Sequence, residues 1–270
     1  MNFINMVAKR RRRAVGGPLT LSEQVEALLA GTTGFALDPS DTATMWQDTG
    51  TATPVTATSD PVGHIRSKWG TTTYDFIQAT GASRPAWDGG SGLSFDGIDD
   101  HLEITSTAML QDKPAVFVST RSRFTAVNSY DLHISTPTAA NHRLSSSSDG
   151  TGVWAVGSRI LDATGTTFVS AAAGTLVAGN TYTLSRQVDY AGTRAVTGWK
   201  DSVSVLSGTV AGTASNTSNT ASATATIGAF STGTTNFFSG KGGRMVFCPF
   251  LPSAAQILSI EGWVAEGVAL

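Results

Sequence analysis

The sequence predicts an all-β protein, a jelly-roll-type sandwich of two sheets with a short helix near each end. Three observations predict it. Short apolar alternations of period two recur at near-regular spacing between turn residues. The composition is skewed toward Gly (29 residues), Thr, Ser and Ala, with only 14% charged residues, a usage that fits pleated strands and tight turns. Four glutamates (Glu23, Glu26, Glu261 and Glu266) lie in the two segments that read as helix, which leaves Glu103 as the sole Glu of the β region. At 270 residues the chain suits one large sandwich, since such folds of roughly 200–250 residues form single domains.

Residues 1–20 form an extended arm. Phe3, Ile4, Met6 and Val7 precede the run Lys9, Arg10, Arg11, Arg12 and Arg13, and Gly16-Gly17-Pro18 follows. The arm carries five positive charges while the whole chain stands at −2, so the body is acidic. A short helix comes next, capped by Thr20 or Ser22, with Val25, Leu28 and Leu29 on one face and Gly31 as its stop. Residues 1–33 thus read as a basic arm with its helix, and 34–270 as the sandwich. Asp38-Pro39 and Asp60-Pro61 are turns. Leu93 and Phe95, then Leu102 and Ile104, flank an Asp-Gly turn and read as a hairpin. Val116 with Val118, Tyr182 with Leu184, Val203 with Val205, and Met245 with Phe247 continue the alternation. The low-complexity tract Thr209 to Thr226 reads as a surface loop or flat edge leading into a strand near Ile227. Ser253 caps a closing helix with Ile257, Ile260, Trp263 and Val264 at helical period.

Cys248 stands alone in an apolar run, so no intramolecular disulfide forms and the residue reads as a small buried hydrophobe. A secretion signal needs an apolar stretch of roughly 7–15 residues after its basic start. Ala-Val-Gly-Gly-Pro follows Arg13 instead, and no window approaches the about 20 apolar residues of a membrane span. The expectation is a soluble protein made in a cytoplasm.

The segment Phe95 to Ile104 concentrates carboxylates. Asp96, Asp99 and Asp100 serve the turn in the first reading, because Asp bonds backbone amides two residues on. A Ca²⁺ site at Asp96, Asp99 and Asp100 is the alternative, although one turn supplies fewer than the six to eight oxygens calcium takes. No other cofactor is expected. His64, His101, His133 and His142 lack metal-ligand spacing, and neither a Gly-x-Ser-x-Gly elbow nor a phosphate-cradling loop occurs. Sandwich glycosidases need two carboxylates roughly 5–10 Å apart, and the Glu-x-Asp-x-x-Glu strand pattern is missing. No catalytic residue is therefore assigned. Trp69, Trp87, Trp154 and Trp199 read first as packing and second as sugar-stacking platforms. The run Lys9–Arg13 reads as a protein-docking element ahead of a solvated tail or a phosphate-binding one, since no aromatic interleaves it for base stacking.

Leu93-Ser94-Phe95-Asp96-Gly97-Ile98-Asp99-Asp100-His101-Leu102-Glu103-Ile104 resembles a segment of the concanavalin A-like lectin/glucanase (LamG-type) superfamily. Asp38-Pro39-Ser40-Asp41 through Met45-Trp46-Gln47-Asp48, Thr53-Pro54-Val55, Asp60-Pro61-Val62-Gly63 and Gln78 to Pro85 resemble the stretch that precedes it in virion proteins of tailed phages and phage-like particles. Ser253-Ala254-Ala255-Gln256-Ile257 resembles their closing helix. The resemblance spans residues 34–270. It implies a place in a virion, on fibres, spikes or decorations that meet host glycans. The expected partners are other virion proteins through the N-terminal arm and a host surface polysaccharide, with a homo-oligomer expected on general grounds and nucleic acid the least favoured partner of the basic run. Two rival functions stand beside this one. One is a polysaccharide-degrading enzyme drawing its acids from Asp96, Asp99, Asp100 and Glu103, and the other is a free lectin-like carbohydrate-binding module.

Overall fold

The Thr20 hydroxyl accepts the Glu23 amide while the Glu23 carboxylate accepts the Thr20 amide, so a capping box opens helix α1, Leu21–Leu29. At the other end Ser253 and Gln256 cap each other reciprocally and open α2, Ala254–Glu266. The computed structural model describes residues 18–90, 92–125, 129–135, 142–159, 166–172, 174–212, 217–218, 223–230 and 236–266. The basic run Lys9–Arg13 and parts of the 209–226 tract lie outside them.

Among the described residues seventeen strands run between the helices. In chain order they are β1 Phe35–Leu37, β2 Met45–Trp46, β3 His64–Arg66, β4 Asp75–Ile77, β5 Ala86–Trp87, β6 Leu93–Asp96, β7 Leu102–Thr107, β8 Ala115–Phe124 and β9 Ser129–Ser135. There follow β10 His142–Ser148, β11 Trp154–Ser158, β12 Thr167–Ser170, β13 Thr181–Asp189, β14 Ala195–Lys200, β15 Val203–Thr209, β16 Ala223–Ile227 and β17 Ser239–Cys248. They form two antiparallel sheets. The eight-stranded sheet runs β15-β14-β13-β8-β17-β6-β5 with β1 also on β17, and the nine-stranded sheet runs β12-β11-β10-β9-β16-β7-β4-β3-β2. This is the predicted jelly-roll sandwich with its two helices.

Alternation divides each central strand between two cores. Val116 and Val118 of β8, with Met245 and Phe247 of β17, join the main core between the sheets, where they meet Phe76, Leu102, Trp154 and Ala225 from the other side. Phe117, Val246 and Cys248 point the other way, onto Val25, Leu29, Ile260, Trp263 and Val264 of the helices. Burial pushes the Cys248 thiol well above its ordinary range, consistent with an inert, packed side chain. Both helices thus lie on the outer face of the eight-stranded sheet, and the apolar face of α1 is consumed by the body. None of the described helices is long and apolar enough to cross a membrane.

Three expectations need correction. The Phe95–Ile104 segment is not a hairpin: β6 pairs with β17 and β5, whereas β7 pairs with β16 and β4 in the opposite sheet. The Asp-Gly turn is an arch from one sheet to the other, so Phe95 and Leu102 face each other across the core. The end of the 209–226 tract is no surface edge either, because β16 sits between β7 and β9 with Ala225 and Thr226 fully buried. Val203 is exposed and Leu206 takes the inward position, since a bulge at Gly198/Trp199 shifts the β14–β15 register.

One polar cluster ties distant parts together. The Asp38 side chain is buried between Arg244, whose Nε lies 2.9 Å away, and Lys68, whose Nζ lies 3.3 Å away. Arg244 also donates to the Trp263 carbonyl and the Ser40 hydroxyl, and its guanidinium covers the Trp263 ring at 4.6 Å. Burial alone would raise the Asp38 carboxyl, but the Ser40 hydroxyl, Arg244 and Lys68 outweigh it and hold the group below the usual carboxylate range.

Asp38→Asn leaves two cations without their shared anion and is expected to cost about 3 kcal/mol, measured by urea denaturation at pH 7. Because the folded value is depressed, this contribution is present above about pH 4 and disappears as the pH falls below it. Gly198→Ala is expected to cost about 1–3 kcal/mol by overpacking, since a Cβ there would lie 2.8 Å from the buried Trp154 ring.

Candidate functional site

The three aspartates of the arch do come together, with carboxylate oxygens within 4.8 Å of one another. Each is engaged in building the turn. Gly97 takes φ +80°, and Asp96 Oδ1 accepts the amides of Ile98 and Asp99. Asp100 Oδ2 accepts the Asp96 amide, and Asp99 Oδ2 accepts the Ser83 hydroxyl. One oxygen of each carboxylate remains, which is half or less of the six to eight that calcium takes. The residues therefore fit turn chemistry better than a calcium shell. Burial raises the Asp100 carboxyl to about 7, with the neighbouring Asp96 and Asp99 charges adding to the rise. Asp100 is only 6% exposed, out of reach of a bulky substrate.

Glu103 is not part of this cluster. It points outward from β7, and its sheet neighbours on either side are Ile77 and Thr226. No second carboxylate stands beside it in that row.

The row itself crosses the outer face of the nine-stranded sheet. Pairing places Ile77, Glu103, Thr226, His133, Ser145, Gly157 and Phe168 in line. The hydroxyls of Thr226 and Ser145 are fully buried and have no hydrogen-bond partner. Ile77 and Phe168, 38% and 47% exposed, put apolar surface near the two ends. A Cβ on Gly157 would meet both Ser145 Oγ and the Phe168 ring, so the glycine lets that ring lie flat across the strand. Sequence reasoning passed over Thr226 and Ser145, because in a Thr/Ser-rich chain nothing marks one hydroxyl from the next.

The remaining candidates are structural. Trp154 is fully buried with its Nε1 on Ser146, Trp87 donates to the Pro39 carbonyl, Trp69 packs on Trp263, and Trp199 packs near Phe117 under the helices. His64 is 3% exposed, with Nδ1 on the Gly50 carbonyl and Nε2 on Asp75, which Arg66 also holds. Burial opposes ionisation of Asp75, but Arg66 and His64 together keep its carboxyl below the usual range. His101 is set by the Asp99 carbonyl and the Gln78 side chain. The side chains of His133 and His142 lie outside the described residues.

No protein-family model matches the chain, and no curated protein matches it. Solved structures do. The K499G mutant of NanB sialidase from Streptococcus pneumoniae aligns at 15% identity and a TM-score of 0.50, over 63% of this chain and 27% of that one. The Ruminococcus gnavus IT-sialidase CBM40 bound to alpha2,3 sialyllactose aligns at 12% and 0.49, over 64% and 96%. Mouse laminin alpha1 domains LG4-5 align at 15% and 0.46, over 63% and 47%. The first likeness is one of fold alone, and the other two add no argument to it. The fold of the chain is a jelly-roll β-sandwich of the concanavalin A-like type.

The pH response of the arch follows from Asp100. Its folded value is raised, so its contribution to stability is full below about pH 4 and is lost as the pH climbs through about 7. Asp100→Asn is expected to flatten that decline in urea midpoints between pH 4 and 8. An unchanged profile would show that Asp100 ionises freely in the fold.

Proposed function

We propose that this chain is a non-enzymatic surface component of a tailed-phage or phage-like particle, a fibre, spike or decoration protein, that binds host glycan. The observation that carries the reading is the asymmetry of the sandwich. Helices occupy the outer face of the eight-stranded sheet, and the basic arm joins the body at the start of α1 on that same side. The nine-stranded sheet has no described helix on its outer face, where Glu103 points outward and Ile77 and Phe168 are exposed. One side suits attachment to other virion proteins through Lys9–Arg13, and the other suits display. The resemblance of residues 34–270 to phage virion proteins supports the placement on a particle, and a homo-oligomer is the expected assembly.

Two features support binding without catalysis. The arch carboxylates are spent on backbone amides and a hydroxyl, and Glu103 has no acid beside it in its row.

Deleting residues 1–17 is expected to abolish incorporation into particles while leaving the melting temperature of the body unchanged, because α1 and its cap are retained. Normal incorporation of the truncated chain would remove the anchoring role. Host-polysaccharide binding by the purified protein, with no release of reducing ends, is the matching expectation for the sandwich.

A further inference from the structure

A cleft of about 580 Å³ opens where β4 and β7 meet the loops around residues 33, 72–73 and 108–113. Its size falls within the range of small-ligand sites. Ile104, Tyr74 and Ala108 give it an apolar floor, while threonines, Gln111, Asp75, Asp112 and Lys113 supply polar groups around it.

Asp112 distinguishes this cleft from the rest of the surface. Among the aspartates with described side chains, every other carboxylate accepts a hydrogen bond from an amide, a hydroxyl or a cation. Asp112 accepts none from the described residues. It is exposed and held at φ +52°, a left-handed conformation that Asp adopts more readily than most residues. The next residue is fixed in place: the Lys113 ammonium donates to Thr33 Oγ1, and its amide donates to the Ser218 hydroxyl. Asp75, on the opposite side, is already shared by Arg66 and His64. The cleft therefore presents one uncommitted anionic acceptor, one positioned cation, several hydroxyls and an apolar floor.

We infer that this cleft is a glycan subsite and that it takes a neutral pyranose, an inference that rests on the glycan-binding reading above. Vicinal sugar hydroxyls donate to the Asp112 carboxylate, Lys113 donates to a sugar oxygen, and the C–H face of the ring lies on Ile104 and Tyr74. A sugar bearing a carboxylate would set like charge against Asp112 in a site whose other acid is already paired.

The test is a panel of immobilised oligosaccharides ending in neutral hexoses, N-acetylhexosamines, sialic acid or uronic acid, probed with the full chain and followed by calorimetry on the hits. Neutral termini are expected to bind. Asp112→Gly, which removes the carboxylate and suits the left-handed backbone, is expected to weaken them by at least about tenfold without lowering the melting temperature. Leu258→Ala, on the exposed side of α2, is expected to leave affinity unchanged. Binding that survives Asp112→Gly but is lost in Phe168→Ala would overturn the cleft while keeping the glycan reading. Preference for sialylated or uronic termini would overturn the neutral-sugar assignment. Failure of the unmodified chain to bind any sugar on the panel would overturn both.

Discussion

The ion pair between Arg244 and Asp38 is the constraint on which the rest of the molecule is arranged. A carboxylate so nearly removed from water is tolerated only when its charge is met at close range. Here the partners come from the closing strand β17 and from Lys68, which follows β3. Arg244 adds the carbonyl and ring of Trp263, so the same side chain fastens α2. It also supplies a cation near the C-terminal end of a helix that has none of its own in its last turn. The turn after β1, the last strand and the last helix can therefore seat only together. That sets the helices against Phe117, Val246 and Cys248 and makes the eight-stranded sheet the covered one.

Coverage of one sheet decides what the other can do. With its partner's outer face taken by α1 and α2, the nine-stranded sheet is the one with no described helix on its outer face. The arch at Asp96–Asp100 contributes by position more than by chemistry. By carrying the chain from β6 to β7 it fixes Glu103 in the outer row and brings Ile104 to the floor of the cleft. Its carboxylates are consumed in shaping that crossing, and burial, with the neighbouring Asp96 and Asp99 charges adding to it, raises the Asp100 carboxyl.

Local chemistry was readable wherever its cause lay within a few residues. The caps at Thr20 and Ser253 and the Asx turn at Asp96 each depend on side chains three or fewer positions from the backbone they satisfy, and the stop at Gly31 on that residue's own φ of +80°. The period-two alternation of Val116 with Val118 and of Met245 with Phe247 was equally plain. The same alternation with Asp-Gly between two strands could not distinguish a hairpin from an arch, because both place apolar residues on the core side and differ only in which strand each edge pairs with. Thr226 was hidden in a low-complexity tract. Its place in a central strand comes from pairing with β7 and β9, more than a hundred residues and about ninety residues away, respectively.

By itself the sequence determined the fold class, the two helices with their caps and the single buried cysteine, because these follow from periodicity, composition and short-range hydrogen bonding. Only the tertiary structure decided which sheet the helices cover, that the acidic turn bridges the sheets, and that Asp112 stands uncommitted beside Lys113 in a cleft. Those facts depend on contacts between residues far apart in the chain, such as Lys113 with Ser218 and Asp38 with Arg244. No local pattern encodes such contacts. They are selected when the whole core closes.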